Sequence, residues 1–195
     1  TMEDKEINPK ESLAVIESMI HNAKNKLADD GFYFIFWGWL VTICALGHYF
    51  CLKAGIANGH WLWNIFMPLG GIVSIVYGWK EGKSKKVKTY VDTYITFVLG
   101  AFLIGMSITL ILMPWNGYKH SYFFLIILYG ILSFIIGGIL HFKPLIFGSL
   151  FSFVFAILSV FLPDLDMLLC ISGALLFSHI IPGHLLRSKY KTENV

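Results

Sequence analysis

The chain has 195 residues, of which 56% are hydrophobic and only 14% charged, with a formal net charge of +3. Soluble domains usually carry about 25% charged residues, and a soluble chain of this size could not bury so much apolar surface. The composition therefore excludes an ordinary soluble protein and indicates an integral membrane protein.

The first 31 residues differ from the rest of the chain. The segment 8–31 starts with Asn8 as a helix N-cap, Pro9 at the first helical position and Glu11 three residues after the cap. Apolar residues then recur at alternating spacings of three and four, which predicts an amphipathic helix. We expect residues 1–31 to form a cytoplasmic segment. Four residues of the stripe are predicted to face a partner: Leu13, Ile16, Ile20 and Leu27.

Six apolar stretches follow, each close to the roughly 20 residues that a membrane-spanning helix needs. They are residues 32–52, 61–79, 92–113, 121–141, 144–162 and 165–186. Their interiors contain no Asp, Glu, Lys or Arg at mid-depth, and they lack the alternation of a barrel strand. The predicted fold is all-α: six transmembrane helices, arranged as three helical hairpins, form a bundle over residues 32–187. Residues 188–195 form a cytoplasmic tail.

Basic residues indicate how the chain is oriented, because translocation disfavours Lys and Arg in short loops. If the N-terminus is cytoplasmic, all 15 Lys and Arg residues except Lys53 and Lys119 fall on the cytoplasmic side of the six stretches. The sequence therefore predicts that both termini lie in the cytoplasm.

The most basic run is WKEGKSKKVKTY, residues 79–90, between the second and third stretches. It lacks interleaved aromatic residues and flanks an apolar span, so we predict a cytoplasmic loop near anionic lipid headgroups and no binding of nucleic acid. Residues 1–31 hold seven carboxylates and four lysines, which predicts that they dock on this loop. The lysines assigned to headgroups or docking are Lys83, Lys85, Lys86 and Lys88.

Small residues recur four apart in five of the stretches. Such ladders let helix backbones approach closely in lipid, where packing drives helix association. They are Gly70, Ser74 and Gly78; Ala101, Gly105 and Thr109; Ser133 and Gly137; Gly148, Ser152 and Ala156; and Ala174, Ser178 and Pro182. We predict helix–helix contacts at these faces, either within the bundle or between copies of the chain.

The polar stretch LLFSHIIPGHLLRSKYK, residues 175–191, holds the main candidate site. An ionisable residue inside a membrane helix, here His179, is a functional candidate by default. Pro182 removes the helical hydrogen bond to the carbonyl of Ser178, and Gly183 loosens the same turn. These four residues form a candidate ligand site or transport path. The alternative is a packing histidine at a kinked helix end.

Residues near the predicted outer boundary could supply metal ligands, but no HxxxH or HExxH spacing holds them in register. They are His48, His60, His120, Asp164 and Asp166. We predict no metal site. P-loop, GxGxxG and GxSxG patterns are also missing, so the sequence predicts no cofactor and no catalytic residue.

Two segments, DDGFYFIFWGWLV (29–41) and IIPGHLLRSKYK (180–191), lie at either end of the six apolar stretches. Together they resemble an uncharacterised family of small bacterial inner-membrane proteins, over nearly the whole chain after residue 8. The resemblance implies a location in the bacterial inner membrane and no assigned activity.

The predicted function is that of a non-enzymatic membrane protein whose cytoplasmic face docks a protein partner or another copy of the chain. The alternative is a channel or transporter for a small solute, with His179 and the Pro182–Gly183 break lining its path. An intramembrane enzyme or metal-binding protein is a third reading.

Overall fold

A computed structural model describes residues 31–84 and 90–193, and within these ranges all regular secondary structure is helical. The elements are α1 (Phe32–Lys53), a 3₁₀ turn (Ala57–His60), α2 (Trp61–Ser84), α3 (Tyr90–Asn116), α4 (Tyr118–Leu140), α5 (Lys143–Phe161), α6 (Met167–Leu175), a π-helical turn (Leu176–Ile180) and α7 (Ile181–Glu193). Several predictions concern positions beyond these ranges. The amphipathic helix with Leu13, Ile16, Ile20 and Leu27, the residues Lys85, Lys86 and Lys88, and the side chain of Lys83 lie outside the described part.

Six of the helical segments are long and apolar enough to cross a membrane, which confirms the predicted all-α class and the six spans. They are Phe32–Lys53, Ala57–Lys80, Val91–Asn116, Tyr118–Leu140, Lys143–Phe161 and Met167–Lys189. Lipid offers no hydrogen bonds to a backbone, and helices satisfy their own N–H and C=O groups within each segment. The last span runs through α6, the π-helical turn and α7 without a break.

Two sharp reversals join consecutive spans. Gly117 links α3 to α4 at φ +80°, a conformation that suits glycine. α4 ends at His141, whose φ of 52° is also left-handed. There the N–H of His141 donates to the carbonyl of Gly138 at 3.1 Å, and the N–H of Phe142 donates to that of Gly137 at 2.9 Å. This is the Schellman pattern of a helix C-terminus, and it turns the chain directly into α5.

The spans differ strongly in how much of them is buried. The last span packs on both α1 and α5, and α4 packs on α5 and α3. In an apolar stretch of 18 residues within the last span 61% of residues are buried, whereas the corresponding stretches of the second and third spans reach only 6% each. α2 rests mainly on α1, and α3 on α4. The bundle is therefore a core of α1, α4, α5 and α6–α7 with two peripheral helices, and the three-hairpin description stays a prediction.

The small-residue ladder of α2 is a helix–helix face, and the structure identifies α1 as its partner. The indole Nε1 of Trp37 donates to the hydroxyl of Ser74 at 3.0 Å, and the hydroxyl of Tyr33 donates to the Ser74 carbonyl at 3.4 Å. A side chain at Gly70 would overlap Leu40 of α1. These contacts hold a helix that has few others.

The ladder of α5 is also a helix–helix face. Gly148, Ser152 and Ala156 are all buried, and the Ser152 hydroxyl donates to the carbonyl of Ala174 in α6 at 3.2 Å. The α3 ladder packs only in part: a Cβ on Gly105 would lie 3.2 Å from Leu128 of α4, but Ala101 is exposed.

Candidate functional site around His179

His179 lies in the middle of the bundle, with only 2% of its surface exposed. Its ring nitrogen Nδ1 is 2.8 Å from the hydroxyl of Ser178 and 3.3 Å from the hydroxyl of Ser133 in α4. The Ser178 hydroxyl also donates to the carbonyl of Ala174 at 2.7 Å. A hydroxyl has only one hydrogen to donate. The geometry therefore fits two consecutive hydrogen bonds, in which Nδ1–H of His179 donates to the Ser178 hydroxyl and the Ser178 hydroxyl donates to the Ala174 carbonyl.

Aromatic rings and a glycine close the space around the imidazole. The ring of Tyr129 meets it edge to face with centroids 5.2 Å apart, and the ring of Phe34 lies at 5.4 Å. A Cβ on Gly38 of α1 would lie 3.1 Å from the Cβ of His179 and 2.8 Å from the Ile180 side chain. We define the His179 cluster as His179, Ser178, Ser133, Tyr129 and Phe34. It is a packed polar cluster supplied by α1, α4 and the π-helical turn.

The π-helical turn adds the carbonyl of Phe177 to those that cannot receive a hydrogen bond from residue 182. The N–H of Ile181 reaches back five residues to the carbonyl of Leu176. In this register the donor to the Phe177 carbonyl would come from residue 182, which is proline and has no N–H. Pro182 therefore leaves the Phe177 carbonyl without a helical donor, and the predicted loss of the donor to the Ser178 carbonyl stays a prediction.

Gly148 of α5 lies against the carbonyl oxygen of Phe177. A Cβ at this position would overlap that oxygen and would lie 3.1 Å from Cγ of Pro182. A glycine Cα hydrogen at such close approach is a weak hydrogen-bond donor to a carbonyl. The glycine of the α5 ladder thus covers the carbonyl that the proline leaves without a helical donor.

Pro182 and Gly183 are both buried. A Cβ on Gly183 would lie 2.9 Å from the side chain of Ile35 and 3.1 Å from the Cβ of Phe34. These residues therefore lie at contacts of α7 with α1 and α5. The four candidate residues of the sequence are all buried where the last span contacts α1 and α5.

The hydroxyls of Ser133 and Ser178 lie 3.3 Å and 2.8 Å from the His179 ring, which is close to the distance between a catalytic serine and its base. Ser133 is fully buried, and in the described part of the chain the ring nitrogen Nδ1 of His179 is held by hydroxyls rather than by a carboxylate. A nucleophile also has to reach a substrate, and the burial of both residues denies that access. The cluster is suited to holding helices together by hydrogen bonds.

The outer His and Asp residues are held separately by local partners. Trp63 Nε1 donates to Nδ1 of His48 at 3.2 Å, and Lys119 lies 3.7 Å from the carboxylate of Asp164. The ring nitrogens of His60 and His120 lie beside backbone carbonyls of their own segments. Within residues 31–84 and 90–193, no three His, Cys, Asp or Glu side chains lie close enough to share a metal ion.

Three members of the cluster were not linked to His179 by the sequence. Ser133 was recognised only as part of a ladder, and Tyr129 and Phe34 carried no signal that separates them from other aromatic residues in membrane helices. The usable signal was polarity: Ser133 is a hydroxyl within the apolar second half of α4, and a buried hydroxyl requires a hydrogen-bond partner.

Comparison with protein-family models, with curated proteins and with solved structures gave no match. The resemblance to a family of small bacterial inner-membrane proteins stays a prediction.

Proposed function

We propose that this protein is a non-enzymatic integral membrane protein of the bacterial inner membrane whose cytoplasmic face docks a partner protein or a second copy. The six apolar spans support the membrane location. The distribution of Lys and Arg supports the orientation, with both termini and the lysine-rich segment in the cytoplasm.

One observation carries the proposal. α2 and α3, which lie on either side of the lysine-rich segment, have the smallest buried fraction of the six spans. In the apolar 18-residue stretches of the second and third spans only 6% of residues are buried, and α2 and α3 each rest mainly on a single neighbour. Helices with so few core contacts can shift towards a partner without disturbing the core. The His179 cluster lies in that core and keeps the remaining helices fixed.

The acidic N-terminal segment is the nearest candidate occupant of the lysine-rich face. Residues 1–31 carry seven carboxylates and four lysines, whereas residues 80–88 carry five lysines and one carboxylate. An amphipathic helix bound only to anionic lipid would usually be basic. Opposite charge therefore favours docking of this segment on the loop of the same chain or of a neighbouring copy.

Limited proteolysis tests the docking. We expect replacement of Lys83, Lys85, Lys86 and Lys88 by Gln to expose residues 10–28 to protease in membrane vesicles. Replacement of Lys189 and Lys191 by Gln, on the same predicted side, should leave their protection unchanged. Equal protection of residues 10–28 in both variants would contradict the docking.

The close packing around His179 favours docking over the transport alternative. A solute path needs polar groups that face an opening, and Ser178 and His179 are buried. A cysteine placed at Ser178 should therefore resist hydrophilic thiol reagents in intact vesicles. Rapid labelling of that cysteine would instead favour the transport reading.

A further inference from the structure

An open apolar groove of about 310 Å³ runs along the outer surface between α3 and α4. From α3 it is lined by Phe97, Val98, Ala101 and Phe102. The ring of Phe102 packs on Tyr129 of the core with centroids 5.1 Å apart, which fixes the floor of the groove. Its volume is at the lower end of the range for ligand sites.

The groove exists because α3 presents a small side chain between large ones. Ala101 is exposed and leaves a gap opposite Ile131 of α4. One turn further along α3, a Cβ on Gly105 would lie 3.2 Å from Leu128, so the two helices lie closer together at that end of the groove. The groove is open on its outer side.

The lining determines what kind of molecule fits. Every lining residue is apolar, including Leu132 and Ile135 from α4. Sites for polar small molecules need at least a few placed polar groups, and this groove supplies none from its side chains. The complementary ligand is a hydrocarbon chain.

The position of the groove indicates which end of a lipid lies where. α3 and α4 run antiparallel, and Ile135 precedes the end of α4 at Leu140 by five residues, or about 7.5 Å along the helix. Beyond that end come the reversal at His141 and the exposed side chain of Lys143. Lys143 thus begins the next helix at the same end of the bundle as the Ile135 end of the groove, which places a cationic residue at the headgroup level of that end.

We propose that this groove binds one acyl chain of an anionic phospholipid, with the phosphate group at Lys143. The apolar lining takes up the chain, and the lysine supplies the opposite charge for the headgroup. The leaflet involved is the one at the His141 end, so the proposal does not depend on which side of the membrane that end faces.

Native mass spectrometry of the detergent-solubilised full chain tests this, with phosphatidylglycerol and phosphatidylcholine of identical acyl chains added separately. One cation at the surface gives about a fivefold preference for the anionic lipid. In a chain whose Lys83, Lys85, Lys86 and Lys88 are replaced by Gln, so that these lysines cannot attract the headgroup, we expect one phosphatidylglycerol to be retained with that preference. Adding Lys143→Gln should remove the preference while a lipid still binds.

Filling the groove should remove the lipid itself. We expect Ala101→Phe to lower retention of phosphatidylglycerol about tenfold, whereas Ile111→Phe, at an exposed site on the same helix outside the lining, should not change it. If Ala101→Phe does not fold, Ile131→Trp fills the groove from the exposed rim of α4. Equal retention in the filled and control variants, or equal retention of the two lipids by the unmodified chain, would overturn the proposal.

Discussion

Gly148 of α5 packs directly on the carbonyl oxygen of Phe177 in the last span. Pro182 leaves this carbonyl without a helical donor, and only a residue lacking a Cβ can approach it so closely. The contact between α5 and the last span is therefore made at the irregular turn of that span, where the Phe177 carbonyl lacks a helical donor.

Replacing Gly148 by Ala should destabilise the bundle by about 3 kcal/mol, because the new methyl group would force α5 away from the last span. Gly100→Ala is the matched control, since an added Cβ there meets no atom within 4 Å. We expect that control to be neutral, or to gain up to about 1 kcal/mol from helix propensity. Thermal unfolding in detergent measures both, and equal midpoints would contradict the contact.

Two adjacent glycines of α2, Gly70 and Gly71, lie on different faces of the helix, one in contact with α1 and one facing outward. A side chain at Gly70 would overlap Leu40 of α1, whereas one at Gly71 meets nothing within 4 Å. Gly70→Leu should therefore lower the thermal midpoint and loosen α2, and Gly71→Leu should not. If both variants behave alike in unfolding and in proteolysis of α2, the α1–α2 interface is not the one described.

The hydrogen bond between Ser133 and His179 can be isolated by a double-mutant cycle. Ser133→Ala, His179→Ala and the double variant should show a coupling of about 0.6 kcal/mol, and at most about 1.7, the range found for side-chain hydrogen bonds between membrane helices. Unfolding in mixed micelles gives the free energies. Strictly additive losses would mean that the two side chains do not interact.

The proposed orientation predicts opposite accessibility for two lysines. In a chain whose three cysteines have been replaced by Ser, a cysteine at Lys85 should react only from the cytoplasmic side. A cysteine at Lys119 should react only from the other side. A membrane-impermeant thiol reagent applied to intact and to opened cells distinguishes them. Labelling of both from one side would disprove the orientation.

The sequence predicted the spans well because each helix must be apolar along its full length to remain in lipid. It also predicted contact faces such as Gly70–Ser74–Gly78, because close approach requires small side chains whatever the partner. It could not identify the partner of each face, since that depends on contacts between distant segments. Ser133 and His179 are 46 positions apart.

Local irregularity was predicted less well than the spans. Pro182 predicted a disturbed turn, but its local sequence does not show whether the helix kinks or widens; the structure has a wider turn, with Gly148 of α5 packed against it. The groove at Ala101 could not be predicted from the sequence. Alanine is common in membrane helices, and the gap beside Ala101 exists only because of the large side chains that the neighbouring helix places around it.

The packing of α1 on the last span has a consequence for biosynthesis. α1 is synthesised before the last span, whose residues cover the Gly38 face of α1. This face of α1 must therefore stay uncovered in the bilayer until residues 167–189 have been inserted, and a chain truncated before residue 167 would leave it exposed to contacts with other membrane proteins.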